Sequence, residues 1–273
     1  MPSVHEIKKF QYRSVWISDI HLGHHGCKTD YLIDFLDTIQ CEHLFLVGDI
    51  VDLSYMRRKG LNLPQSHLNV VRKILGKAKQ GTKVVYIPGN HDEDYREFDG
   101  SRFGNIEIHN KYIHETADGK RLLMMHGDEF DSAVRCNKFA VYLGEKTYDI
   151  LLYLNRWLNT FRRKLGFQYW SASNYLKTKV KNAASIIKDF EQAVAHEAKR
   201  SNVDGLVCGH MHHAEIRKID DVLYCNDGDW IENCTALVEN YEGALEILHW
   251  SDVIKSLKHH PAESPQTELR KAA

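Results

Sequence analysis

Five short apolar runs each end on an aspartate, asparagine or histidine, and this arrangement limits the fold more than any other feature of the chain. Val15-Trp16-Ile17-Ser18 runs into Asp19, Leu44-Phe45-Leu46-Val47 into Gly48-Asp49, and Val84-Val85-Tyr86-Ile87 into Pro88-Gly89-Asn90. Arg121 to Met125 runs into His126-Gly127-Asp128, and Gly205 to Cys208 into Gly209-His210. Short apolar runs of this kind read as buried strands. Longer amphipathic stretches lie between them, such as Tyr31 to Gln40 and Leu68 to Lys79, so the fold class is α/β. Thr235 to Glu239 and Ala244 to Trp250 read as antiparallel strands around Glu242-Gly243. In open α/β sheets ligands bind beyond the carboxyl ends of the strands. Five polar strand ends therefore point to one shared site.

The residues at issue form an ordered set: Asp19-x-His21, Gly48-Asp49, Gly89-Asn90-His91-Asp92, His126-Gly127-Asp128 and Gly209-His210-x-His212. They offer carboxylates, a carboxamide and imidazoles, with no thiolate among them. Such donors suit Mn²⁺, Fe or Zn²⁺ in an oxygen and nitrogen environment. Alternate residues of an extended segment share a side, so Asp19 with His21 and His210 with His212 can act together. Two dications bring +4 and the two aspartates return -2, which leaves a positive site suited to a phosphate anion. Taken singly, each motif also has a bland reading as a strand-end polar group or a helix cap. The ordered combination does not.

This ordered set resembles the calcineurin-like metallophosphoesterases over Trp16 to His212. The resemblance implies a four-layer sandwich of two mixed sheets flanked by helices. It implies that Asp19, His21, Asp49 and His212 hold one metal and that Asp49 bridges to a second, held also by Asn90, His126 and His210. His91 is then not a ligand but the catalytic residue over the substrate phosphate, stabilising charge and protonating the leaving oxygen. Asp92 and Asp128 are expected to orient imidazoles from behind.

Between His126 and His210 the chain is longer than a crossover helix needs, so a helical cap is expected over about 131–198. From Ile150 to Lys188 there is no Asp or Glu, whereas Arg156, Arg162, Arg163, Lys164, Lys177, Lys179, Lys181 and Lys188 are present. Trp157, Phe161, Phe167, Tyr169 and Trp170 are interleaved with them. One reading is a solvated basic face. The other is a cap in which Arg156, Trp157, Arg162, Arg163, Lys164, Lys177 and Lys181 meet an acylated, phosphorylated substrate or a bilayer surface. A cap at this place resembles the UDP-2,3-diacylglucosamine hydrolases of lipid A synthesis. That likeness implies cleavage of a nucleotide-linked diacyl sugar to UMP and an acylated sugar phosphate, commonly with Mn²⁺, at the cytoplasmic face of the inner membrane. The best-defined members of that group carry Arg where this chain has His91. The histidine matches general phosphoesterases, so a small phosphodiester is the alternative substrate.

The remaining bounds are coarser. Residues 1–257 are expected to form one domain and 258–273 a flexible tail. The N-terminal segment lacks an apolar signal core, and six cysteines without a close pair suit a reducing compartment, so a cytoplasmic protein is expected. A formal net charge of -1 gives no general field for a polyanion, and no nucleic-acid partner is expected. A binding scaffold with a degraded site is the non-catalytic alternative, and the complete ligand set argues against it. His24 and His25, just after the first motif, could contact substrate, but the default reading is that they are surface residues.

Overall fold

The computed structural model describes residues 9–60, 63–130 and 192–253. Two sheets form the frame. The first has the order β12-β11-β1-β2-β3-β5-β4, comprising β1 (Phe10–Ile17), β2 (Ile39–Val47), β3 (Lys83–Ile87), β4 (Arg102–Phe103), β5 (Ile106–Ile108), β11 (Thr235–Glu239) and β12 (Leu245–His249). The second has the order β6-β7-β8-β10-β9, comprising β6 (Tyr112–Glu115), β7 (Arg121–Met124), β8 (Gly205–Cys208), β9 (Glu215–Ile219) and β10 (Val222–Asn226). Strands β1, β2, β3 and β5 are parallel, as are β7, β8 and β10. Antiparallel strands close the edges.

Alternation along the strands sorts the side chains into three layers of packing. Phe45 and Val47 of β2, Val85 and Ile87 of β3, and Trp16 of β1 meet Leu122 and Met124 of β7, Val207 of β8 and Cys225 of β10 between the sheets. There the Trp16 ring stacks on Phe45 at 5.2 Å. The opposite faces of β2 and β3, with Leu44, Leu46 and Val84, pack against Leu32, Phe35 and Leu36 of α1 (Thr29–Thr38) and Val70, Ile74 and Ala78 of α3 (Gln65–Lys79). Leu123, Leu206, Cys208, Val222 and Tyr224 on the outside of the second sheet cover Val194, Ala195 and Ala198 of the helical stretch 192–200. Helix, sheet, sheet and helix make the four layers. Residues 192–198, at the end of the expected cap range, thus belong to this outer layer.

At the strand starts, far from the polar strand ends, a buried network ties the sheets together. Glu239 of β11 accepts from Arg13, Ser14 and His114 and from the Ala117 amide. Among the described residues no helix is long and apolar enough to cross a membrane. Cys27, Cys41, Cys208, Cys225 and Cys234 are free thiols.

Two local readings change. The helix expected over Tyr31 to Gln40 ends at Thr38, because Ile39 and Gln40 pair with Phe10 and Gln11 and extend β2. Strands β4, β5, β6 and β9 are short and at least partly exposed, so their apolar pattern is weak, whereas β10 is mostly buried but only five residues long.

Candidate metal centre

The polar strand ends converge where the two sheets open at their carboxyl edges. Loop backbone pairing sets the positions: Asp19 N donates to Gly48 O, His21 N to Asp49 O and Leu22 N to Ile50 O, at 2.8–3.0 Å. The chain turns sharply at five of the donor residues. Asp19, His21, Asp49, His210 and His212 take φ of 49°, 51°, 53°, 64° and 52°. A left-handed conformation costs a non-glycine residue on the order of 1–3 kcal/mol, and such strain concentrates at functional sites. Two glycines permit the crowding. A Cβ on Gly48, at φ +85°, would lie 2.0 Å from His126 Nδ1, and one on Gly209 would lie 2.4 Å from Asp19 Oδ2.

The donor atoms face one another. His212 Nε2 lies 3.0 Å from Asp19 Oδ1, and His21 Nε2 lies 3.8 Å from the same oxygen. Asp49 Oδ2 sits between two groups, 3.6 Å from His21 Nε2 and 3.4 Å from His126 Nε2. The His126 ring is 5.2 Å from His210, and Asp19, Asp49 and His126 present atoms within 4.8 Å of one another, as do Asp19, His21 and His212. Asp19 Oδ1, His21 Nε2, Asn90 Oδ1 and His126 Nε2 are buried without a hydrogen-bond partner. Buried polar atoms left unpaired are costly, so convergent ones mark a place for a cation. The donor set, its burial and these orphaned atoms fit divalent metal ions.

Neighbouring groups fix the rings. His126 Nδ1 donates to Val47 O at 2.9 Å, which turns Nε2 toward Asp49. Asp52, the N-cap of α2 (Leu53–Lys59), takes His91 Nδ1 on one oxygen at 2.8 Å and His21 Nδ1 on the other at 3.2 Å. One carboxylate thereby aims two imidazoles, and His91 Nε2 is left 3.9 Å from Asp49 Oδ2. The His91 backbone N–H donates to Asp49 Oδ1 at 2.8 Å and orients the shared carboxylate.

Asp92 and Asp128 do different work from the imidazole-orienting role expected of them. Asp92 accepts from the backbone amides of Asp49, Ile50, Val51 and Gly89 and from the Tyr86 hydroxyl, so it clamps the β2 and β3 loops together. Asp128 pairs with Arg96 at 2.6 Å. The orienting carboxylate is Asp52, three residues beyond Asp49, where an isolated Asp after a short apolar pair carries no pattern. Asp227 is a second omission. It follows the missed strand β10 and contacts Ser18 Oγ at 2.6 Å, while that hydroxyl also reaches Asp19 Oδ2 at 2.6 Å. The run Val222-Leu223-Tyr224-Cys225 before Asn226-Asp227 was the available signal. His24, read as a surface residue, is buried beside His21.

The charges are mutually dependent. Burial opposes ionisation of Asp19, yet the imidazoles of His212 and His21 hold its carboxyl well below the usual range. Asp49 is held low against burial by His126 and His21. Burial disfavours a charged His21, but the facing Asp19 carboxylate, its bond to Asp52 and the nearby Asp49 raise it to about 10. His126 rises well above the ordinary imidazole value because the charge of Asp49 outweighs its burial. Burial, with the Asp19 charge adding to it, pushes the Asp227 carboxyl far up. The centre is a concentration of negative charge that favours cations.

Of the expected residues, Asp19, His21, Asp49, His91, His126, His210 and His212 are brought together here, and Asn90 sits between Gly89 and His91, in a loop whose backbone lies against the Asp49 carboxylate. Arg156, Trp157, Arg162, Arg163, Lys164, Lys177 and Lys181, like the tail 258–273, lie outside the described residues.

The calcineurin-like phosphoesterase family model matches residues 12–214. A curated relative, the DNA polymerase II small subunit of Methanothermobacter thermautotrophicus, is 26% identical over 161 residues, 48% of this chain and 33% of that protein. The chain thus spans about a third of that relative's length. Similar solved structures include Yfce, a phosphoesterase from E. coli, at 15% identity and TM-score 0.46, covering 88% of this chain and 93% of that one. An archaeal phosphodiesterase matches at 14% identity and TM-score 0.38, over 86% of this chain and 98% of that one. A Vps29 mutant from Entamoeba histolytica matches at 12% and 0.41, over 86% and 97%. With its two mixed sheets, its cluster of side chains able to hold a metal ion and a family match running from β1 past His212, the chain belongs to the calcineurin-like phosphoesterase family.

Proposed function

We propose that Asp19, His21, Asp49 and His212 hold one divalent ion and that Asp49, Asn90, His126 and His210 hold a second. The metal is Mn²⁺ in this reading, with Fe or Zn²⁺ as alternatives. The substrate is the pyrophosphate of a nucleotide-linked glycolipid such as UDP-2,3-diacylglucosamine, cleaved to UMP and an acylated sugar phosphate. The observation that carries the hydrolytic reading is the set of buried atoms without partners, His21 Nε2 and His126 Nε2 among them, that flank Asp49 Oδ2 at 3.6 and 3.4 Å.

Divalent ions bound there supply Lewis acidity, positive charge for the phosphate and a lowered pKa for water. The side chains do the rest. His91, with 27% of its side chain exposed, is placed to stabilise charge on a phosphoryl oxygen and to pass a proton to the leaving oxygen from Nε2. Asp52 holds the ring by Nδ1 so that Nε2 is the atom presented. Asp92 keeps the Asp49 loop against the His91 loop.

The glycolipid is favoured by the run Ile150 to Lys188, basic and aromatic with no acid. In this reading Arg156, Trp157, Arg162, Arg163, Lys164, Lys177 and Lys181 meet the substrate or the cytoplasmic face of a membrane. A second reading, a small phosphodiester, is favoured by His91 standing where the best-defined glycolipid hydrolases have Arg. The curated relative's name includes DNA polymerase, but the formal charge of -1 supplies no field for nucleic acid, so that substrate comes third. The test is Mn²⁺-supported hydrolysis of UDP-2,3-diacylglucosamine in detergent, beside bis-p-nitrophenyl phosphate. UMP release much faster than diester cleavage upholds the glycolipid. Diester cleavage without UMP release replaces it with the smaller substrate.

A further inference from the structure

His24 and His25 have no part in the chemistry described, yet the structure sets them at its side. The His24 amide donates to His21 O at 2.9 Å, and Gly26 N donates to His24 Nδ1 at 3.1 Å, which locks the ring. That ring lies 6.5 Å from His21, 4.3 Å from His25 and 4.6 Å from Tyr55. His25 Nδ1 and the Tyr55 hydroxyl are 3.2 Å apart. His21 in turn lies 4.7 Å from His91. A continuous wall of rings therefore runs from His91 to His25, which is exposed.

Tyr55 sits in the first turn of α2, where its amide donates to Asp52 at 2.8 Å, so the wall and His91 are held by the same carboxylate. Arg58 and Lys59 follow at three and four residues, on the helix face of Tyr55, and both are exposed. Arg57 faces elsewhere, pairing with Asp94 at 2.5 Å. Packing of the loop against α2 accounts for His24, which is buried, but not for an exposed His25 tied to Tyr55 beside two cations. Rings next to positive charge, at the edge of a phosphoester-cleaving centre, match the chemistry of a nucleoside phosphate.

We propose that His25 and Tyr55 form a stacking subsite for the base of a nucleoside monophosphate group in the substrate, with Arg58 and Lys59 beside it as counter-charge. The proposal rests on the nucleotide-linked substrate above. His24 acts as a positioning residue that holds both rings.

The test compares UMP with ribose 5-phosphate as inhibitors of bis-p-nitrophenyl phosphate hydrolysis by the metal-loaded protein. The two share ribose and phosphate, and only UMP carries a base. Stacking of one base is expected to make UMP about tenfold the tighter inhibitor. His25→Ala and Tyr55→Ala should each lose most of that preference, with inhibition by ribose 5-phosphate unmoved, whereas Tyr55→Phe should keep it. His25→Ala changes an exposed residue and decides the matter if Tyr55→Ala fails to fold. Equal inhibition of the wild type by both ligands, or a UMP preference that survives both alanine variants, would overturn the subsite. UMP release from UDP-2,3-diacylglucosamine fails separately: a base preference without it keeps the subsite and removes the glycolipid, and the reverse pattern removes the subsite alone.

Discussion

Asp52→Asn tests whether one carboxylate controls two imidazoles. Asp52 is 2% exposed and accepts from His91 Nδ1, His21 Nδ1 and the Tyr55 amide. Burial works against its charge, but both rings hold it far below the usual carboxylate range. Asparagine keeps the size and one acceptor oxygen but turns the other oxygen into a donor. Whichever ring meets the new NH₂ must offer a lone pair at Nδ1 and carry its proton at Nε2. That proton then points at Asp49. A hydrogen bond to a charged group is worth about 2 kcal/mol, which corresponds to roughly 30-fold. If His91 changes, kcat at saturating metal should fall about 30-fold. If His21 changes, metal affinity should fall by a similar factor, in the range of about 10–100-fold found for residues behind ligands. Steady-state hydrolysis of bis-p-nitrophenyl phosphate across a Mn²⁺ titration separates the two. A variant with unchanged kcat and unchanged metal dependence would refute the shared role.

Further outcomes follow from the same geometry. His91→Ala should retain both metals by elemental analysis and lose roughly 10²–10⁴ in kcat, and metal loss would show that His91 is a ligand. Gly48→Ala places a Cβ 2.0 Å from His126 Nδ1 at φ +85°, so it should displace that ring, lower the Tm and reduce bound metal together. Normal metal content would contradict that reading. Glu239 is pushed up by burial, but its bonds to His114, Ser14 and the Ala117 amide bring it down to about 2 from an ordinary 4.5. Its stabilisation is therefore complete above about pH 4.5 and is lost as pH falls through about 2. Glu239→Gln should lower the Tm at neutral pH and flatten the acid limb of Tm against pH, and parallel curves for the two proteins would exclude the network as the cause.

The fold is legible in the sequence where buried apolar residues are dense. Strands β1, β2, β3, β7 and β8 are buried on both faces, so their apolar runs stand out, and each delivers a polar residue to one edge. Asp52 and Asp227 escaped because their roles exist only in three dimensions. Asp52 matters through rings from β1 and β3 loops, and Asp227 through a hydroxyl 209 positions away. Asp92 shows the converse. Its place in Gly89-Asn90-His91-Asp92 was conspicuous, but its work is to hold backbone amides of another loop. The left-handed turns at Asp19, His21, Asp49, His210 and His212 were invisible in composition, since they arise from loop pairing between strands.

Whether this chain holds a two-metal centre that hydrolyses phosphoesters is decided by metal titration of the chelator-stripped protein. Hydrolysis of bis-p-nitrophenyl phosphate should be absent without metal and should saturate at two Mn²⁺ bound per chain. Asp49→Ala, which removes the shared carboxylate, should lose bound metal and hydrolysis together. Full hydrolysis by the stripped protein, or by Asp49→Ala, would exclude a two-metal hydrolytic centre.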